Sequence, residues 1–401
     1  MPSMPPPIEA PILDPEHLQL LRLAAQDLGL LRLGAVDLEH PGFAPAKATY
    51  ERFLDAGKAG SMGFLERTRE VRQDPAQMLP GARTLLVVCV PYDGEAGPIA
   101  RYAQSLDYHT VLHGRLLGLQ ARLHELAPGS DSLICVDTKP VLERSAAALA
   151  GLGFLGKHGC LIVPGLGSYV LLGALMTTAA LRDAPGGRPA NTVQTALWDA
   201  CGSCRRCLDA CPTDAFDSPG HLDPRRCIAY LTIEEREPIA DTLAAKLGER
   251  IAGCDVCQEV CPYNAGDRQG RTPAVAKLDP PPGGPRTIDL VKIAEIGSSR
   301  QRALVRGTAL RRIPRRHLRR NALLALGNRE GPAVGEEAAV LRRGCLDPDP
   351  QIAAAAAWAS ARRKVALAAE QEDSTEGCPP EDRSSNTQYC PNGHVTKDRL
   401  I

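Results

Sequence analysis

Apolar residues recur at helical spacing near the start of the chain, where Leu18, Leu21, Ala25, Leu28 and Leu31 form one stripe, as the buried face of a helix requires. Residues 1–80 therefore read as mainly helical. From Gly60 to Arg83 the chain carries Asp74-Pro75 and Pro80-Gly81, dipeptides that interrupt regular structure, so a helix followed by a surface loop is expected there. The period then changes. Leu85–Val90 (LLVVCV) and Ser132–Val136 (SLICV) are short apolar runs rich in β-branched residues, which predict buried strands. Pro140 suits the first turn of a helix through Val141, Leu142, Ala146, Ala147 and Ala150, closed by Gly151 and Gly153. Cys160–Val163 and Ser168–Leu172 are expected to pair as a hairpin around Pro164-Gly165-Leu166-Gly167. Residues 81–190 are thus α/β in pattern, and Arg319–Leu326 and Gln351–Ala361 return to helical spacing.

Composition sharpens this only locally. With 401 residues and 44% hydrophobic content, the chain can bury a large core and is expected to form two or three domains. Its 47 basic and 47 acidic residues cancel, so bulk charge names no partner. The distribution does. After the linker Pro280–Pro285, nine arginines and no acidic residue fall between Arg300 and Arg320. A solvated helix face normally interleaves both signs, so the block is a better match to nucleic-acid phosphates. Asn321 aligns with Ile352, an offset of 31 residues, and Asp347-Pro348-Asp349-Pro350 is placed to cap the later helix, as in a short pair of HEAT-type helical repeats. Beyond about Val365 the chain is polar and patternless and reads as disordered, with Cys378, Cys390 and His394 not spaced as a metal site. The N-terminus lacks the basic and apolar regions of an export signal, and no 18-residue apolar run occurs, so a cytoplasmic protein without a membrane span is expected.

Eight of the fourteen cysteines lie between residues 201 and 261. Cys201, Cys204, Cys207 and Cys211-Pro212 form a C-x2-C-x2-C-x3-C-P run, and Cys227 precedes the set Cys254, Cys257 and Cys261-Pro262. Zinc also uses C-x2-C pairs, but has no use for the C-x3-C-P ending. The spacing instead predicts two [4Fe–4S] clusters, in which three cysteines of one loop share a cube with the last cysteine of the other. Cys201, Cys204 and Cys207 would pair with Cys261, and Cys227, Cys254 and Cys257 with Cys211. Such cubes pass single electrons and imply a partner to be reduced.

No G-x-G-x-x-G opens a helix after the first strand, so a standard dinucleotide site is unsupported. Asp137 follows a strand, where ligands commonly bind, yet an Asp or Thr before Pro at a helix start can equally be a cap. Lys157, flanked by Gly156 and close to Gly159, reads equally as a solvated loop lysine. Cys89, Cys135 and Cys160 are most simply buried small hydrophobes.

Several stretches together resemble the epoxyqueuosine reductases, which use cobalamin and iron–sulfur clusters to finish queuosine synthesis in tRNA. They are Arg101-Tyr-Ala, Asp107-Tyr-His, Val136-Asp-Thr with Glu143-Arg, Ala150–Lys157, Gly167-Ser-Tyr, Leu222–Thr232 and Gly253–Pro262. The resemblance spans about residues 15–330 and the helical repeats. It implies an α/β (α+β) cobalamin-binding catalytic domain over 1–190 and a ferredoxin-like domain with two [4Fe–4S] clusters over 191–275. A basic, HEAT-like helical domain that binds tRNA would occupy 276–365, with a tail over 366–401 that matches nothing in the family. Asp137 matches the family's proton donor, and burial beside an apolar corrin should raise its pKa. Arg101, Asp137, Lys157, Leu161, Leu172, Arg226, Ile228 and Asp255 match cobalamin neighbours by motif position. Arg311, Arg312, Arg315, Arg316, Arg319 and Arg320 would hold the tRNA through its phosphates. The resemblance further implies a cytoplasmic, monomeric oxidoreductase fed by an external electron donor. Two competing readings are a reductive dehalogenase-like enzyme acting on a small molecule and a non-catalytic electron carrier. Cobalamin content and salt-sensitive tRNA binding separate the three.

Overall fold

The computed structural model describes residues 11–182, 199–266, 276–281 and 288–365, so the tail expected over 366–401 lies outside the described residues. A four-stranded sheet organises the N-terminal part. Its strands are β1 (Arg32–Asp37), β2 (Thr84–Pro91), β3 (Ser132–Cys135) and β4 (Val170–Thr177), in spatial order β1-β2-β4-β3 and antiparallel at every pairing. β2 reads as an unbroken apolar run because both faces are covered. Leu86, Val88 and Val90 join helices α1 (Pro15–Asp27) and α2 (Tyr108–Leu126) in one core. Leu85, Val87 and Cys89 join helix α3 (Glu143–Leu149) in another.

Several expectations need correction here. The stripe of residue 18 to residue 31 is not one helix. α1 ends at Asp27 with Leu28 as its cap, Gly29 turns at φ 75°, and the Leu31 amide already bonds Cys89 O at 3.0 Å on the way into β1. Residues 11–80 are otherwise mainly helical as expected, with helices over Phe43–Asp55, Gly63–Arg67 and Arg69–Gln73 following β1. The helix expected from Pro140 begins only at Glu143. The hairpin expected around residues 164–167 does not form either. Leu161–Ile162 pairs with Phe154–Leu155, β4 is taken up by the sheet, and a single Val163–Gly167 bridge remains between them. The apolar-run reading also assigns nothing to α2, although Leu112, Leu116, Leu119 and Leu123 recur at helical spacing and are fully buried.

The cysteine-rich segment and the C-terminal helices share one apolar core rather than two. It contains Ile228, Tyr230 and Leu231 of helix α4 (Ile228–Ile233) with residues of α5 (Leu290–Ala294), α6 (Arg315–Gly327), α7 (Gly335–Cys345) and α8 (Pro350–Arg362). Asp349 caps α8 as expected, accepting the Gln351 amide at 3.0 Å. The seam is pinned by two polar side chains of α6. Arg320 donates to the carbonyls of Leu231 (2.9 Å), Glu235 (3.2 Å) and Glu237 (3.0 Å), and Asn321 to those of Thr232 and Ile251, both at 2.8 Å. These satisfy carbonyls left without partners at and beyond the end of α4. None of the twelve cysteines among the described residues is in a disulfide. No helix among the described residues is long and apolar enough to cross a membrane.

Candidate active site and cluster loops

Between β3 and α3 the chain passes through Asp137 with φ 50°, a left-handed backbone that costs a non-glycine residue roughly 1–2 kcal/mol. It persists because both ends of the residue are held. The Asp137 amide donates to Glu143 Oε1 at 2.9 Å, while its Oδ2 accepts the Tyr108 hydroxyl at 2.8 Å and lies 3.1 Å from His109 Nε2. The N-cap of α3 is Leu142, without a side-chain cap bond. Asp137 is therefore no helix cap, and its carboxylate turns toward α2.

Asp107 starts α2 in the way an N-cap aspartate does. Its Oδ1 accepts the His109 amide at 3.1 Å and also sits 2.7 Å from His109 Nδ1. The first turn of α2 thereby presents Tyr108 and His109 to the Asp137 loop, with the two rings stacked at 4.1 Å. Tyr102 meets Tyr108 edge-on at 6.1 Å, and it feels the charges of both Asp137 and Asp255. Tyr102 therefore lies within electrostatic reach of both the Asp137 site and the second cysteine loop.

The expected upward shift of Asp137 is not found. Burial is the largest single influence and does act upward, although 44% of the side chain is still exposed. The hydrogen bonds from His109 and Tyr108, with the charges of His109 and Arg312, together outweigh it and hold the carboxyl below its ordinary range. The bond to Asp137 is also the main cause that lifts His109, against burial and with help from Asp107. Glu143 is pushed up to about 8, first by burial and then by the charge of Asp137. At neutral pH these two carboxyls thus take opposite states, Asp137 ionised and Glu143 protonated.

The two cysteine loops have the same local build and different surroundings. Cys204 and Cys207 flank or enter the short helix Arg206–Asp209, as Cys254 and Cys257 do the helix Val256–Glu259. Around the first loop Gly202, Ser203, Arg205 and Arg206 are exposed; around the second Ile251, Ala252, Gly253, Asp255 and Gln258 are buried. Cys227, at the N-cap of α4, and Cys254 pack against the shared apolar core. A buried network joins the second loop to the sheet side. The Ser168 hydroxyl donates to Gln258 Oε1 (2.9 Å), Asn264 Nδ2 donates to Ser168 Oγ (2.9 Å), and the Arg101 amide donates to Asp255 Oδ2 (2.8 Å).

The other expected site residues are only partly gathered. Arg101 and Asp255 touch directly, whereas Lys157 reaches away from Asp137. Its Nζ donates to the carbonyls of Gly202 (2.6 Å) and Cys204 (2.9 Å), bracing the outer cysteine loop. Arg226 pairs with Asp217, Leu161 is buried with Leu172 packed on the same core, and Ile228 belongs to the core of the C-terminal helices. Within the arginine block, Arg311, Arg312, Arg315 and Arg316 are exposed. Arg312 pairs with Glu234 at 2.5 Å, lies over the Phe64 ring at 5.3 Å, and acts electrostatically on Asp137. Arg319 bonds Ala294 O and Asp347, and Arg320 is 2% exposed. Those two are structural and leave the set expected to contact tRNA. The residues that the sequence reading quoted without giving them a role are Tyr108, His109 and Glu143; the signal available was Asp-Tyr-His as a helix-starting triplet.

Comparison with known proteins identifies the family. Residues 200–264 match the 4Fe-4S double cluster binding domain, and residues 72–138 match the family model described as epoxyqueuosine reductase QueG, DUF1730. An epoxyqueuosine reductase of Gloeobacter violaceus is 38% identical over 315 residues, covering 76% of this chain and 92% of that protein. One of Synechocystis is 39% identical over 300 residues, covering 70% and 98%. A crystal structure of epoxyqueuosine reductase with an epoxyqueuosine-modified tRNA-Tyr stem loop superposes with a TM-score of 0.71 at 28% identity, over 86% of this chain and 89% of that one.

Proposed function

The chain belongs to the epoxyqueuosine reductase family, and from that premise we propose how its residues divide the reaction. The enzyme reduces epoxyqueuosine in tRNA to queuosine. Turning the epoxide into an alkene takes up two electrons and two protons and releases the oxygen as water.

Electrons pass through the double-cluster domain. One cube is held by Cys201, Cys204, Cys207 and Cys261, the other by Cys227, Cys254, Cys257 and Cys211. The exposed surroundings of the first loop favour it as the entry from an external donor, and the buried surroundings of the second favour it as the exit toward Asp137. Cobalamin, when bound and reduced, supplies the electrons to the carbon–oxygen bond. The residues present suit it. Arg101 Nε and His158 Nε2 are buried without a partner, and His158 Nδ1 already accepts the Cys160 amide at 3.1 Å, so both orphan atoms are donors. Donors of that kind fit the amide rim of a corrin, with Leu161, Leu172 and Ile228 as apolar neighbours and Asp255 and Arg101 fixed to each other. Lys157 and Arg226 contribute through the loops they hold.

Asp137 carries the reading, because its carboxyl is held between two proton-bearing side chains and is still 44% exposed. It protonates the departing oxygen. Arg311, Arg312, Arg315 and Arg316, supported by the α5–α8 stack in the manner of HEAT-like repeats, grip the phosphates of the anticodon stem. The pocket around Asp137 then selects the modified base, since phosphate contacts position without specifying. The monomer is the working unit. The test is an anaerobic assay with cobalamin, a strong reductant and epoxyqueuosine-bearing tRNA, followed by nucleoside mass analysis. Loss of one oxygen is expected from the native protein. Asp137→Asn should retain cluster content and tRNA binding and lose turnover; turnover in that variant would remove Asp137 from the role.

A further inference from the structure

We propose that His109, keyed by Asp107, reloads Asp137 with protons, so that a single carboxyl delivers both protons the departing oxygen takes up. The inference rests on Asp137 as the proton donor and adds the source from which it is recharged.

The stoichiometry sets the problem. Both carbon–oxygen bonds of the epoxide break, a carbon–carbon double bond forms, two electrons arrive through the reduced relay, and the oxygen leaves as water with two protons. Asp137, ionised at rest, passes on one proton at a time. A second transfer requires a neighbour that returns a proton to it without waiting for bulk water to enter a mouth covered by substrate.

His109 has the geometry for this. Its Nδ1 lies 2.7 Å from Asp107 Oδ1 and its Nε2 lies 3.1 Å from Asp137 Oδ2. A neutral imidazole donates from one nitrogen only. With a carboxylate oxygen at each nitrogen, the trio is satisfied when it holds one further proton, on the ring or on Asp137. That proton is the one the reaction needs. It moves from Nε2 to Oδ2 and on to the oxygen, and the ring, 30% exposed beside an Asp107 that is 22% exposed, regains a proton from solvent for the second transfer. Asp107 fixes the ring in place because its helix-capping bond ties it to the same turn.

The charged and titratable groups around the pair act consistently. The Tyr108 hydroxyl donates to the same Oδ2 at 2.8 Å, stabilising the carboxylate left after each transfer. Arg312 favours the ionised Asp137, and both Asp137 and Asp107 favour the protonated ring. Tyr102 stays protonated behind Tyr108. Glu143, on the opposite side of Asp137, bonds its backbone amide rather than its carboxylate, so the side-chain route to Asp137 runs through α2.

The experiment is a pH–rate profile of epoxide reduction under saturating reductant for the native enzyme, His109→Gln, Asp107→Asn and Asp137→Asn, each checked for cluster content. The native rate should hold level through neutrality and fall as pH rises past the titration of the trio. His109→Gln should be about 100-fold slower at neutral pH, begin its decline at lower pH, and recover on addition of imidazole. A native rate and profile in His109→Gln would overturn the relay, and so would a uniform loss with the native shape and no response to imidazole, which marks a merely structural role. A second readout needs no turnover. In the protein without cobalamin, the His109 ring should titrate by NMR above ordinary histidine and shift downward in Asp107→Asn and in Asp137→Asn; an unmoved midpoint would count against the coupling. If Asp137→Asn itself turns over, the donor assignment fails. If it is inactive while His109→Gln is unchanged, the donor stands and the relay alone falls.

Discussion

Arg311 and Arg320 belong to one acid-free stretch of sequence, and the fold uses them in opposite ways. Arg311 is exposed on the short turn Ala309–Arg312, whereas Arg320 is 2% exposed and grips three carbonyls at and beyond the end of α4. Burial pushes the Arg320 guanidinium down to about 10, so it stays charged while isolated from water. The block therefore contains two populations that charge counting cannot distinguish, one exposed to solvent and one that fastens the helical stack to the cysteine-rich segment.

The comparison can be broken in order of expected effect. Arg320→Ala should lower unfolding stability by about 3 kcal/mol or more, because three carbonyls lose a buried charged donor, and denaturant unfolding of cluster-loaded protein measures it. An unchanged midpoint would erase the distinction. Asn321→Ala should cost about 2 kcal/mol for the same reason, through the carbonyls of Thr232 and Ile251. The Arg311→Ala and Arg316→Ala pair should leave stability within about 0.5 kcal/mol yet reduce the salt slope of tRNA binding by about 1 to 2. A slope equal to the native one would place the tRNA elsewhere. Arg319→Ala falls between the two populations and should cost about 1 to 2 kcal/mol, since its pair with Asp347 is only 15% and 12% exposed and its bond to Ala294 O is lost with it. Burial alone would raise its partner Asp347, but the Asp349 amide and Arg319 hold it below the ordinary carboxylate range. A depressed carboxyl contributes stability above its unfolded pKa of about 4 and loses it as pH falls through the folded value. The acid limb of the stability curve should therefore be shallower in Arg319→Ala.

What was legible in the sequence follows from range. The cysteine spacing and β2 are local signals, and β2 shows as a plain apolar run because α1, α2 and α3 cover both its faces. The hairpin expected at residues 160–172 fails because strand pairing is a global choice, and β4 finds β2 and β3 instead. β1 is short and contains Gly34, where a side chain would collide with Ala150 O, so local propensity hides it. Asp137 could be singled out, but its conformation and charge state could not. They are set by Tyr108 and His109, 29 and 28 positions earlier, and by the turn in which Leu142 rather than Asp137 precedes α3. The expectation of a raised pKa considered burial and left out the donors.

The unequal settings of the two cysteine loops also bear on how the protein is made and maintained. Cys227 and Cys254 pack against the core that α4 shares with the C-terminal helices, so on the proposed ligation inserting iron and sulfide there would be part of folding and would precede the closing of that core. The outer loop, ringed by exposed residues and braced by Lys157, can be filled afterwards. On the proposed ligation, oxygen damage to the outer cube would be repaired in the finished protein more readily than damage to the inner one.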